Sequence, residues 1–345
     1  MERRTMKKKV IVLFLSLLLV FGAFAGCTPK DNASSDFGTD TGTPGSELPG
    51  GATARSEVTG GITITDMSGR EVVLDGPAQR VVALTAADVE ILYAIGAGDA
   101  LVGRGEYCNY PPEVFDVEAV QSGSETNVEQ VIALEPELLI MDTMAQSEKQ
   151  VEQFENAGIP VFVTDAASIA ETYIAIESIG KLMGKEAEAA KVIDDMKNVF
   201  TDLITKVDEA ATDGEEKSIY FEVSPLEFGL WAAGNNTFMN EVSDILKFKN
   251  IFGDVSGWAE ISEEQVIERN PDIILTVGMY FGDGPTPIES ILSRPGWSEI
   301  TALKNQTILN LANDELSRPG PRLAEGAKLL YEFVYEGGAA EPGGQ

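Results

Sequence analysis

Apolar residues along this chain come in short runs, some alternating and some continuous, separated by stretches of helical period. Ile62-Thr63-Ile64-Thr65-Asp66 and Glu71-Val72-Val73-Leu74 alternate on either side of Met67-Ser68-Gly69-Arg70, which predicts a β-hairpin with glycine in its turn. Arg80 to Leu84 predicts a buried strand, Asp88 to Ile95 a helix stopped by Gly96, and Leu101-Val102-Gly103 the next strand. Gln146 to Ala157 then reads as a helix and Val161-Phe162-Val163 as a strand. In the second half Ser218 to Val223 is a strand, Asn236-Thr237 caps a helix reaching Leu246, and Thr307 to Leu311 is another strand. A terminal helix runs from Leu323 to Tyr335. Strand and helix alternate throughout, so the pattern predicts an α/β fold with mainly parallel central sheets.

Two stretches say nearly the same thing. Glu129-Gln130-Val131-Ile132-Ala133-Leu134-Glu135-Pro136-Glu137-Leu138-Leu139-Ile140 aligns without a gap on Glu264-Gln265-Val266-Ile267-Glu268-Arg269-Asn270-Pro271-Asp272-Ile273-Ile274-Leu275. Each predicts a short helix closed before a proline, because the residue preceding proline is pushed out of the α region, followed by a buried strand. Used twice, the unit predicts two related lobes, each presenting a glutamate at the start of a short helix. The lobes are expected at 61–166 and 217–336, with a frayed tail at 337–345. Between them, 167–211 reads as helical: Ile169, Tyr173, Ile176 and Ile179 precede Gly184, and Ala190, Ile193, Met196, Phe200, Leu203 and Val207 follow it. The second piece holds no Pro or Gly, so the lobes are expected to be joined by one long rigid helix.

Composition places this body outside the cytoplasm. Arg3, Arg4, Lys7, Lys8 and Lys9 precede an apolar run from Val10 to Ala25, the charge order of a secretory signal, and the run is shorter than the roughly 20 residues of a bilayer span. An uncleaved membrane anchor is the alternative. The junction Phe24-Ala25-Gly26-Cys27 resembles a bacterial lipoprotein box, with Phe at its first position where Leu is usual. It implies a signal peptide at 1–26 and lipidation of Cys27. Residues 27–60, mostly Gly, Ser, Thr, Pro and Asp, then form a disordered tether with a mean reach of roughly 30 Å. A net charge of −31 on 345 residues opposes binding to nucleic acid or anionic lipid and favours cationic partner surfaces. Lipidation of Cys27 leaves Cys108 as a lone thiol, so stability must come from packing rather than a disulfide.

Four stretches carry a resemblance to a known family: Tyr107-Cys108-Asn109-Tyr110-Pro111-Pro112, Asn127-Val128-Glu129, Ser262-Glu263-Glu264-Gln265-Val266 and Arg318-Pro319-Gly320-Pro321-Arg322. From about Ile62 to Tyr335 the chain resembles the substrate-binding proteins of bacterial ABC importers in which one long helix bridges two α/β lobes. Members capture iron-siderophores, haem or cobalamin in a cleft between the lobes. The resemblance implies that Glu129 and Glu264, the pair singled out by the internal repeat, dock into arginine pockets on two permease subunits; Arg–carboxylate contacts are strong and directional. It runs closest to the cobalamin-binding members, whose aromatic side chains cover a flat macrocycle. The matching positions are Tyr107 on the first lobe and Trp231 and Trp258 on the second, with Arg318 beside the cleft and Arg322 as a further candidate. Where such members place more aromatics on the first lobe this chain has Gly123 and Asp142, which implies a more open pocket or one shaped for another chelate. Cys108 either touches ligand or serves as a small buried hydrophobe.

The sequence contains no histidine. A histidine-built site for bare zinc or manganese, a proximal-His haem site and a histidine-dependent hydrolytic triad are therefore excluded. A tyrosinate haem ligand at Tyr107, Tyr110 or Tyr280 stays open. The expected function is that of a lipid-anchored, extracytoplasmic and monomeric binding protein, with no catalytic residues and no intrinsic metal or cofactor. It would deliver an organic metal chelate to a permease dimer driven by a cytoplasmic ATPase, corrinoid first, with ferric siderophore or haem as alternatives. A helical strut implies limited closure on the ligand. An exported α/β enzyme would instead need a convergent carboxylate pair in the cleft, and a structural lipoprotein would need no cleft.

Overall fold

The computed structural model describes residues 61–123, 125–143, 147–210, 216–278, 284–312 and 314–340. The signal segment, Cys27, the tether and Tyr280 lie outside the described residues. The described residues open with the expected hairpin, β1 (Ile62–Thr65) and β2 (Glu71–Leu74), paired antiparallel with Ile62 opposite Leu74. The buried Asp66 carboxylate in its turn accepts the amides of Arg70 and Val163, fastening the hairpin to the first lobe.

The first lobe continues through β3 (Val81–Ala83), α1 (Ala86–Ala94), β4 (Leu101–Gly105), β5 (Ala119–Val120), α2 (Val128–Ala133), β6 (Leu138–Asp142), α3 (Glu148–Asn156) and β7 (Val161–Thr164). Its sheet is wholly parallel, in the order β5-β4-β3-β6-β7. Two helices follow, α4 (Ile169–Met183) and α5 (Glu186–Ala210). The second lobe comprises β8 (Ser218–Ser224), β9 (Trp231–Ala233), α6 (Phe238–Ile245), β10 (Lys249–Asn250), β11 (Trp258–Glu260), α7 (Glu263–Arg269), β12 (Ile273–Thr276), α8 (Pro287–Leu292), α9 (Thr301–Asn305), β13 (Ile308–Asn310) and α10 (Leu323–Tyr331). Its order is β11-β9-β8-β12-β13, with β10 also beside β8. β9 runs antiparallel to both β8 and β11, so this sheet is mixed.

The internal repeat is structural. α2 leads through Glu135-Pro136 into β6, and α7 leads through Asn270-Pro271 into β12. Glu135 and Asn270 both take the left-handed conformation, at φ 47° and 45°, so each helix ends the same way against its proline. β6 lies between β3 and β7, and β12 holds the equivalent place between β8 and β13.

Strand alternation divides the apolar residues between two faces. Val81, Ala83, Leu138 and Ile140 join Ile219, Phe221, Ile273 and Leu275 in one core that also takes in the inner faces of α4, α5, α6 and α10. Their neighbours Val82, Leu139 and Met141 pack outward in the first lobe, and Tyr220 and Ile274 do so in the second. The lobes thus share a continuous apolar core.

α5 is the long unbroken helix expected between the lobes, and α4 lies antiparallel against it. Gly184 adopts φ 63° at the end of α4 and reverses the chain. Gly180 lets the pair approach closely: a Cβ there would lie 2.5 Å from that of Ala189. Farther along, the Lys197 ammonium sits 5.2 Å from the Tyr173 ring centre. α4 packs on β1 and α1 of the first lobe, whereas α5 packs on α6 and α10 of the second. The buried stripe of α5 is Ala189, Ile193, Met196, Phe200, Leu203 and Val207, so Ala189 takes the place expected of Ala190. At 25 residues α5 spans about 37 Å.

Candidate functional site

The parallel strands of both sheets aim their C-terminal ends at one cavity of ≈ 600 Å³. The switch from strand to loop or helix frees side chains there to face solvent, the usual location of a ligand site in α/β sheets. From the first lobe the residues after β3, at the end of β6 and at the end of β7 line it. From the second come the end of β8, the start of β9 and β11, and the first turn of α6.

The two walls differ in chemistry. The second lobe contributes Val223, Trp231, Phe238, Met239, Trp258 and Val277, an apolar and aromatic surface. Register explains its geometry. Trp258 pairs with Ala233 across the β9–β11 ladder while Trp231 pairs with Glu260, which sets the two tryptophans on one face as diagonal neighbours. Trp258 is held edge-on by the buried Phe238 ring, with centroids 5.4 Å apart and an interplanar angle of 60°. Trp231 keeps 38% of its surface exposed.

The first lobe contributes Thr85, Asp88, Asp142, Thr143, Thr164 and Asp165. Asp88 stands in the first turn of α1 and is 1% exposed. Its Oδ2 accepts the hydroxyls of Thr85 and Thr164, the latter at 3.2 Å. Burial, opposed by the Thr85 hydrogen bond and reinforced by the charge of Asp142, pushes this carboxyl up to about 7. On the exposed part of the same wall the Thr143 hydroxyl donates to Asp165 at 2.6 Å.

Of the residues singled out by sequence, Trp231 and Trp258 line the cavity together. Tyr107 sits just past β4, 73% exposed and outside the lining. The Tyr110 ring lies beneath the Arg322 guanidinium, 4.0 Å from its centre. Ser317 and Pro319 line the cavity, but the guanidinium of Arg318 turns into a network joining the lobes. It donates to Glu90 at 2.8 Å and Asn109 at 2.7 Å in the first lobe and to Asp314 at 2.5 Å in its own. Arg322 clasps the same Glu90 carboxylate at 2.9 and 2.7 Å. Cys108 is 1% exposed, and burial pushes its thiol up to about 12, so it packs as a small apolar group. The loop around it hangs on the buried Arg104, which donates to the carbonyls of Val114 and Cys108.

Glu129 and Glu264 occupy matching places, each the second residue of its helix and each exposed. In α2 the Asn127 side chain accepts the Gln130 amide, and in α7 Ser262 accepts that of Gln265. Both helices begin at the C-terminal edge of their sheets, since β11 runs parallel to β8 by way of β9. Their neighbours are set apart from them: Glu263 accepts the Trp297 indole N–H at 2.9 Å, which leaves Glu264 as the carboxylate facing out. Hydrogen bonds from its own amide and from Ser262 hold Glu264 below the usual carboxylate range.

The sequence alone does not single out Asp88, Thr164, Phe238 or Met239 as cavity residues. The usable signal was position: Thr85 to Asp88 follow a predicted strand directly, where an α/β sheet presents its ligand contacts.

Comparison with known proteins agrees with this architecture. The sequence profile of a family described as periplasmic binding protein matches residues 81–315. A Bacillus subtilis protein described as an uncharacterized ABC transporter substrate-binding lipoprotein, YvrC, is 35% identical over 331 residues, covering 95% of this chain and 98% of that protein. The vitamin B12-binding protein of Vibrio parahaemolyticus is 27% identical over 248 residues, 71% of this chain and 86% of its own. Among solved structures, a possible iron-binding periplasmic solute-binding protein from Staphylococcus epidermidis superposes with a TM-score of 0.62 at 33% identity, covering 75% of this chain and 99% of that one.

Proposed function

Since the chain belongs to the periplasmic binding protein family, a family of solute-binding components rather than enzymes, we propose that it captures an organic metal chelate outside the cytoplasm for an ABC importer. A corrinoid is the favoured chelate. The observation that carries this reading is the cavity between the lobes, walled on one side by two co-facial tryptophans, of which Trp258 is braced by Phe238. Such a surface suits the flat apolar face of a macrocycle, while the hydroxyls and carboxylates opposite suit its polar edge. Similarity to a vitamin B12-binding protein supports the same ligand class. A ferric siderophore is the second reading, favoured by the Staphylococcus epidermidis structure, whose name gives a possible iron-binding role.

In this account Trp231 and Trp258 cover the ligand, and the exposed Tyr107, just past β4, is a further ring available to it. Arg318 acts on the ligand indirectly, by holding the lobes in register through Glu90 and Asn109. Glu129 and Glu264 dock on the two permease subunits, each on a capped helix that fixes its direction. Lipidated Cys27 tethers a monomeric body to the cell membrane; similarity along nearly the full length of a protein named as a lipoprotein supports the anchor.

Titrating the soluble body with cyanocobalamin, a panel of ferric siderophores and haemin, read by tryptophan fluorescence, tests the proposal. One chelate is expected to quench with saturation and emerge chemically unchanged, and Trp258→Ala should weaken its binding at least about tenfold. No saturable quenching by any of them would remove the chelate assignment.

A further inference from the structure

The lining of the cavity is one-sided in charge. Three aspartates, Asp88, Asp142 and Asp165, contribute to it, and among the described residues no Lys or Arg does. Nor is one concealed in the segments outside the described residues within the body: Ser124, residues 144–146, 211–215 and 279–283, and Asn313 include no basic residue. The nearest cations available from the sequence stretch at the cleft, Arg318 and Arg322, are bound to Glu90 and Asp314.

Asp88 adds an observation of its own. It is 1% exposed and lines the cavity, its Oδ2 is satisfied by two threonine hydroxyls, and its Oδ1 has no hydrogen-bond partner among the described residues. An acceptor atom that opens on a cavity can take a hydrogen bond from a ligand donor. Thr85 and Thr164 meanwhile fix the carboxyl so that it cannot turn away.

We propose that the cavity selects for charge: it admits neutral or cationic chelates that bring a hydrogen-bond donor, such as an amide or ammonium, to Asp88 Oδ1, and rejects chelates with anionic edges. This rests on the reading of the cavity as a chelate site. An anionic ligand would bring carboxylate or catecholate oxygens against the buried Asp88, the half-buried Asp142 and the exposed Asp165 with no cation among the described lining residues to offset them, and the repulsion is least screened at Asp88. The overall charge of −31 acts in the same sense at long range, drawing cations toward the mouth and slowing anions. The aromatic wall carries no formal charge and its ring faces favour cations if anything, so the main discrimination falls to the first lobe.

Matched pairs of probes separate charge from shape. Dicyanocobinamide, with amide side chains, is compared with the dicyano form of cobyrinic acid, the same macrocycle bearing carboxylates. Cationic ferrioxamine B is compared with its N-succinyl derivative, the same hydroxamate chelate bearing a carboxylate where the ammonium was. In whichever pair binds, the neutral or cationic member is expected to bind at least about tenfold tighter, and Asp88→Asn should narrow that ratio by at least about threefold. Asp142→Asn, at a less buried position, serves the same purpose if the first variant does not fold. Equal or tighter binding of the anionic member, or a ratio untouched by both variants, overturns charge selection while the chelate reading stands. Binding of no member of either pair removes the chelate reading itself, and this inference with it.

Discussion

Asp88 shows how a buried side chain at the cavity links ligand chemistry to stability. Its pKa rises from 3.8 to about 7 because burial disfavours the charged form more than the Thr85 hydrogen bond supports it, with Asp142 adding repulsion. A carboxyl that holds its proton more tightly when folded stabilises the fold fully at low pH. That contribution begins to fall above about pH 4, where the unfolded carboxyl ionises, and is gone once pH has passed about 7, a total of roughly 4 kcal/mol from the two pKa values. Asp88→Asn removes the titration and keeps the shape. Thermal or denaturant unfolding from about pH 4 to about pH 8 should therefore show the variant gaining on the parent as pH rises to about 7 and no further gain above it. A difference independent of pH would contradict the account of Asp88. The residues of this wall were partly hidden in the sequence: Asp88 is one acidic residue among 56, and only folding reveals which lie against a cavity. Arg318 illustrates the complementary difficulty. Its place beside the cleft could be read, whereas the Glu90 and Asn109 that engage its guanidinium lie more than 200 residues away along the chain.

At the scale of elements, long periodic segments and buried runs were legible because their pattern is local. The hairpin, β3, β6, β7, β8, β12 and the two connector helices stand where the apolar spacing puts them, to within a few residues. The two-residue β5 and β10 and the three-residue β9 and β11 are too short to carry a period, and their strand geometry depends on neighbours already in place. Both cavity tryptophans sit on such strands, so their co-facial arrangement emerges only from register. Gly184 was legible as an interruption, but a glycine in a helical pattern does not say whether the axis bends or reverses. Here it reverses, and Gly180 against Ala189 closes the pair. Gly180→Val should overpack this contact and lower stability by about 1–3 kcal/mol in denaturant unfolding, with affinity of the folded protein unchanged. A neutral effect would mean that α4 and α5 are less tightly joined than this contact implies.

Across the whole molecule, two sheets built around the same helix–proline–strand unit face one cavity and share one apolar core. That core, the α4–α5 pair and the Arg318–Arg322–Glu90 network oppose wide opening, so capture is expected to rely on a preformed wall and small adjustments rather than a large hinge swing. The same pseudo-symmetry sets Glu129 and Glu264 on equivalent capped helices, one per lobe, which is the pairing the proposed docking requires. The most direct measurement is uptake of the identified ligand by cells whose importer depends on this protein, carrying the full-length Glu129→Ala, Glu264→Ala double variant at normal abundance, with ligand affinity of its soluble body measured in parallel. The account predicts that uptake is lost while affinity stays within about twofold of the parent. Normal uptake by the double variant would contradict it.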